Sequence, residues 1–178
     1  EDGQPKAGKA VYVLSEDADA WTELEQLTET VADGAAANTS DGMICVGGFR
    51  DGQASGKVVK YSLTDGKLAG ESLPDLPMPL VGAAAAVTSD PRYVAGVADA
   101  DTKVFLKMDL LAVELKWEEL DAWPGEVMLD LTAAGLHGKF YLFGKDAGQT
   151  TASEINGYEF SASGGWRKLT SPPGDFSS

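Results

Sequence analysis

Apolar and polar positions recur along the chain in a fixed order. Three short apolar runs close on small residues: Met43-Ile44-Cys45-Val46-Gly47-Gly48, Arg92-Tyr93-Val94-Ala95-Gly96 and Phe140-Tyr141-Leu142-Phe143-Gly144. Their last glycines stand at 48, 96 and 144, a step of 48 each time. Ahead of each lies a small-residue run and a turn: Gly34 to Ala37 then Ser40-Asp41-Gly42, Gly82 to Ala86 then Ser89-Asp90-Pro91, Thr132 to Gly135 then His137-Gly138. A third apolar strand follows in each unit, at Val58 to Leu63, Val104 to Met108 and Ile155 to Phe160. The fourth is anchored by Trp117 and Trp166 in the last two units, and the three units end in proline at Leu73-Pro74, Trp123-Pro124 and Ser171-Pro172-Pro173. The chain opens on the second half of such a unit, with Val11 to Leu14 and Ala20 to Leu24. Tyr12 and Tyr61 are 49 residues apart, as are Trp117 and Trp166.

Four short strands per unit, separated by turn residues and repeated at this period, are the signature of β-propeller blades. Each element has a physical reason. Small residues suit the innermost strand, where blades crowd around the axis. Glycines closing the second strand permit backbone conformations that a side chain forbids. A tryptophan in the outer strand offers a large area to pack on the neighbouring blade. The reading is therefore an all-β propeller of about three and a half four-stranded blades, with a half blade over 9–27 and blades over 28–77, 78–125 and 126–173. A ring of six or seven blades at this period takes roughly 290 to 340 residues. The expectation is thus a piece of a longer propeller, or a half-ring completed by a second copy.

Composition then removes alternatives. The 178 residues carry 14 Lys and Arg against 28 Asp and Glu, a net charge of −14. Such a chain has no field to gather phosphates, which argues against nucleic acid and anionic membrane surfaces as partners. No apolar run approaches the roughly 20 residues of a membrane span. One cysteine and one histidine exclude an internal disulfide and a Cys/His zinc site.

The closing glycines, small inner strands and fourth-strand tryptophans resemble the kelch repeat. A longer stretch is more specific: Leu73-Pro74-Asp75-Leu76-Pro77-Met78-Pro79-Leu80, Gly82 to Ala86, Lys116-Trp117-Glu118-Glu119-Leu120 and Trp123-Pro124-Gly125. It is similar to the start of bacterial N-acetylneuraminate mutarotases, six-bladed kelch propellers that interconvert sialic acid anomers. Here a blade and a half precede that stretch, as in relatives with a cyclically permuted blade order. The resemblance implies half of a six-bladed ring, a cofactor-free isomerase, a sugar or glycan as ligand, and a periplasmic or secreted location. Where such relatives usually carry an Arg after the Pro-Gly turn, this chain reads Gly125-Glu126-Val127-Met128-Leu129-Asp130. At the preceding turn it reads Glu29-Thr30-Val31-Ala32-Asp33-Gly34.

Opening and reclosing a sugar ring needs an acid and a base near the anomeric oxygen. Glu29, Asp33, Glu126 and Asp130 lie on strand-linking loops that can face the propeller mouth, which makes them the acid–base candidates; the alternative is four solvated loop carboxylates. Arg50 and Lys145, just past the second-strand glycines, are the candidates for holding a carboxylate or sugar hydroxyls; the alternative is plain surface charge. His137 reads as a hairpin turn residue rather than a base. Asp99 and Asp101 lack the glycine and distal Glu of a calcium loop, so no metal is expected. Cys45 reads as core. Two functions stay open: a mutarotase-like enzyme, and a non-catalytic kelch module that binds a protein or glycan.

Overall fold

The computed structural model describes residues 8–88, 91–98, 101–148 and 155–170. Asp99, Ser89-Asp90 and Ser171-Pro172-Pro173 lie outside these residues. The described chain is all-β. Three four-stranded antiparallel sheets follow one another, each a plain up-and-down meander. The first holds β4 (Ala35–Thr39), β5 (Gly42–Val46), β8 (Val58–Thr64) and β9 (Lys67–Leu73). The second holds β10 (Ala84–Val87), β11 (Pro91–Val97), β12 (Lys103–Asp109) and β13 (Glu118–Leu120). The third holds β14 (Met128–Leu136), β15 (Lys139–Asp146), β16 (Asn156–Ser161) and β17 (Gly165–Lys168). Ahead of them β1 (Tyr12–Val13) and β2 (Thr22–Glu23) pair alone, the outer half of a blade.

The three sheets pack face to face, and the middle one shows why its sequence looks as it does. Val94, Val104 and Leu106 point into an aliphatic core shared with the first sheet, beside Ile44, Val46 and Val58. Tyr93 and Phe105 point the other way, into an aromatic core with Phe140 and Tyr158 of the third. A strand covered on both faces loses the apolar–polar alternation, so Val104-Phe105-Leu106 is an unbroken apolar run and all three are buried. Phe105 stacks on Tyr93 at 5.3 Å between centroids and meets Trp166 at 4.7 Å.

The inner strands β4, β10 and β14 run in the same direction. Gly82, just before β10, donates its N–H to the carbonyl of Asp33, just before β4, at 3.0 Å. At the far ends, a Cβ on Gly135 of β14 would sit against the Val87 carbonyl of β10. Only glycine permits that approach. With inner strands parallel, every connection from a fourth strand to the next first strand opens on one face. Every connection from second to third strand opens there too. That shared face is the loop face.

One element lies outside the sequence reading. The loop after β5 carries β6 (Phe49–Arg50) and β7 (Gln53–Ala54), which form a small sheet with β3 (Val31–Ala32), ahead of β4. The turn between β6 and β7 is Asp51-Gly52, with φ of 47° and 80°, as a two-residue hairpin of strand-matched twist requires. Strand β5 itself stops at Val46 rather than Gly48. Gly47 and Gly48 turn to positive φ and bond instead to the carbonyls of Lys57 and Leu80. His137-Gly138 is a hairpin turn of the same kind, with φ of 49° and 74°.

Candidate functional site

Two ion-pair clusters form on the loop face, one in the first blade and one in the third. In the first blade, the strand pairing Val31↔Arg50 lays β6 against the incoming segment that carries Glu29. Arg50 Nη1 meets Glu29 Oε1 at 2.7 Å, and Lys57 Nζ reaches the same oxygen at 2.8 Å. The Arg50 side chain is only 4% exposed. Its Nε and Nη2 are buried and have no hydrogen-bond partner. Glu29 is a held carboxylate: the Lys57 hydrogen bond, reinforced by Arg50, keeps its pKa below the ordinary glutamate value against the opposing effect of burial. Asp51 braces the segment by accepting from the Thr30 N–H at 2.9 Å and from its hydroxyl at 3.1 Å. Those bonds keep its pKa low as well.

In the third blade a bulge between Leu129 and Thr132 takes Asp130 out of the ladder. Its carboxylate lies 3.3 Å from Lys145 Nζ, and both side chains are well exposed. Just upstream, Trp123-Pro124-Gly125 is locked in place. Trp123 is fully buried and its Nε1 donates to the Glu126 carbonyl at 3.1 Å. Lys103 Nζ donates to the carbonyls of Trp123 at 2.7 Å and Gly125 at 2.6 Å. Gly125 adopts φ 93° under the Tyr158 hydroxyl, where a Cβ would come to 2.7 Å. This rigid turn sets the exposed Glu126 on the loop face.

The repeat also explains Asp33 and Asp130. Both have positive φ, 49° and 52°, and Gly82 has φ 65° at the matching place of the blade between them. A left-handed residue thus stands two positions before each run of regular inner-strand pairing, at Ala35, Ala84 and Thr132. Aspartate tolerates that conformation better than most side chains. Asp33 and Asp130 are both exposed.

The structure therefore brings Glu29 together with Arg50, and Asp130 with Lys145, while Asp33 and Glu126 stand apart on their own loops. Sequence reasoning missed Lys57. Its signal was positional: Lys57 and Lys103 each stand at the start of a third strand, immediately ahead of Val58 and Val104, and each reaches into a blade-linking loop. It also missed Asp146, two residues past Gly144 as Arg50 is two past Gly48, with a buried Oδ1 that has no partner. Cys45 is half-buried on β5, and burial raises its thiol pKa. No cluster of His, Cys, Asp or Glu able to hold a metal ion occurs among the described residues. No helix there is long and apolar enough to cross a membrane.

Successive meander sheets, packed face to face around parallel inner strands, define an all-β propeller segment. Over 72 residues the chain is 35% identical to the N-acetylneuraminate epimerases of Shigella flexneri and Escherichia coli (strain K12). That match takes in 40% of this chain and 19% of each relative, so it spans about a fifth of their length. No protein-family profile matches the chain.

Proposed function

We propose that this propeller segment belongs to a protein that interconverts the anomers of a sialic acid, without a cofactor. The observation that carries the reading is the 35% identity over 72 residues to N-acetylneuraminate epimerases; the loop-face charges are compatible with it. In such a reaction a base removes the proton of the anomeric hydroxyl while an acid protonates the ring oxygen. The ring C–O bond breaks to give the open-chain ketone, and rotation followed by reclosure returns both protons. No net proton or electron is consumed. Asp33, Glu126 and Asp130 are the groups we assign to proton transfer, with Lys145 and Arg50 holding the substrate. Glu29 serves as the anchor of Arg50, since a carboxylate with two cations on one oxygen is a poor proton donor. A periplasmic or secreted setting, and ring closure by further blades from a second copy or a longer chain, belong to the same proposal.

A second reading is a non-catalytic propeller module that binds a glycan or protein at this face. The pairing of Asp130 with Lys145 favours it, because that carboxylate is already engaged. Proton NMR of freshly dissolved N-acetylneuraminate separates the two. The enzyme reading expects faster anomer equilibration on adding the protein; an unchanged rate removes it and leaves the module.

A further inference from the structure

We infer that Arg50 is a receptor for a ligand carboxylate, which it takes through its Nε and Nη2 donors. The inference rests on the reading of the loop face as the ligand site and names the part of the ligand bound there. A guanidinium presents its donors in a fixed plane, and Nε–H and Nη2–H point from one edge as a parallel pair. The spacing of that pair matches the two oxygens of a carboxylate. In this protein the opposite corner, Nη1, is pinned by Glu29 at 2.7 Å, while Nε and Nη2 are the two donors left without a partner. The side chain is 4% exposed, so these donors cannot be satisfied by bulk water. Burying charged donors unmatched is costly, and proteins keep such arrangements where something else completes them.

The surroundings fit an anion. Glu29 and Lys57 flank the guanidinium, and Asp51 lies within electrostatic reach of Lys57 and Lys9, so cations balance carboxylates here on a chain of net charge −14. The Lys57 side chain is 41% exposed and shares the Glu29 oxygen with Arg50. Glu29 is then a positioning residue: it fixes the plane of the guanidinium and with it the direction of the open edge. The Gly47-Gly48 turn and the β6–β7 hairpin supply the rigid mount, with Gly48 N–H bonded to the Leu80 carbonyl at 2.7 Å.

Side-chain Nε–Hε signals of the protein report this directly, since the chain has only three arginines, Arg50, Arg92 and Arg167. Titration of ¹⁵N-labelled protein with N-acetylneuraminate is expected to shift the Arg50 Nε–Hε signal, whereas the methyl ester of the same sugar leaves it in place. Arg50→Lys keeps the pairing with Glu29 but has no fork, and is expected to weaken N-acetylneuraminate binding at least about tenfold, the ratio carried by one charge-assisted hydrogen bond. Glu29→Gln, which weakens the anchor at Nη1, should weaken binding as well. Should Arg50→Lys fail to fold, through-bond assignment of the wild-type side chain keeps the titration decisive. An Arg50 signal that responds to neither sugar, or equally to acid and ester, overturns the inference. Faster anomer equilibration with an unmoved Arg50 signal would sink this inference and leave the proposed activity standing. A shifted signal with unchanged equilibration would do the reverse.

Discussion

The indole Nε1 of Trp166 donates a 2.7 Å hydrogen bond to the carbonyl of Asp121, in the segment that ends the preceding blade. Trp117 does the same one blade earlier, to Pro74 at 2.9 Å. Each outer-strand tryptophan thus bolts its blade to the one before it, with the ring packed and the polar edge satisfied. Trp166→Phe keeps most of the ring contacts and removes the bond. We expect a loss of about 1 kcal/mol in urea denaturation, against about 3 kcal/mol or more for Trp166→Ala. A Trp166→Phe variant as stable as the wild type would mean that the hydrogen bond contributes nothing, and an equal loss in both variants that the ring contacts do not.

Trp21 occupies the corresponding place in the half blade but is 67% exposed, whereas Trp123 is fully buried. Acrylamide is therefore expected to quench one readily accessible tryptophan, and Trp21→Phe to abolish that fraction. Protection of Trp21 in solution would instead reveal a further blade or a second copy packed on it.

Gly48 and Gly52 have nearly the same φ, 81° and 80°, so alanine carries a similar backbone strain at either. They differ in space. A Cβ on Gly48 would lie 2.5 Å from the Ala32 carbonyl oxygen and 2.6 Å from Gly34 N, while one on Gly52 meets nothing. Gly52→Ala should cost about 1 kcal/mol, and Gly48→Ala more than about 3 kcal/mol or the fold itself. Comparable chemical-denaturation midpoints for the two would refute the crowding.

Acid should weaken the fold through the anchored carboxylates. The pKa of Glu29 is depressed in the folded state by Lys57 and Arg50, and that of Glu159 by Lys139 and Arg167. A depressed group contributes its stability above the unfolded value, near 4.5, and loses it as pH falls through the lower folded value. Denaturant midpoints should therefore drop progressively below about pH 4.5. Glu29→Gln should flatten part of that decline and lower stability at neutral pH, where its partners stay charged. A wild-type midpoint that is flat down to pH 3 would contradict the assignment.

Asp130→Asn tests proton transfer without disturbing the fold. Asparagine accepts the left-handed conformation at φ 52°, and the pair with Lys145 is exposed. We expect stability to change by less than about 0.5 kcal/mol and anomer equilibration to slow by about 100-fold. A full-rate variant removes Asp130 from the chemistry and leaves Asp33 and Glu126 for the same substitution.

The blade pattern was legible because blade burial is written locally. Inner strands must be small, so Ala35 to Ala37 and Ala84 to Ala86 stand out. The doubly covered β12 must be apolar throughout, so Val104-Phe105-Leu106 does too. The first blade was harder, since its fourth strand carries no tryptophan; Gly70 lies there beneath the ring of Tyr61, 3.2 Å from where a Cβ would be. The β6–β7 hairpin has its signal in Asp51-Gly52, but the strands it joins are two residues each, too short for an alternating pattern to mark them.

By itself, then, the sequence determined the class of fold, the period of the blades and the hairpin at His137-Gly138, but not that Arg50, Asp130 and Lys145 lie on strands β6, β14 and β15 rather than on loops. Only the tertiary structure decided which of those side chains meet. Glu29 is 21 residues from Arg50 and 28 from Lys57, and Asp130 is 15 from Lys145. Such pairs form because parallel inner strands put all blade-linking and second-to-third loops on one face, and because pairing register and left-handed residues set where each loop turns. Those are properties of packed backbone, decided by contacts between distant segments, and no local pattern of residue types records them.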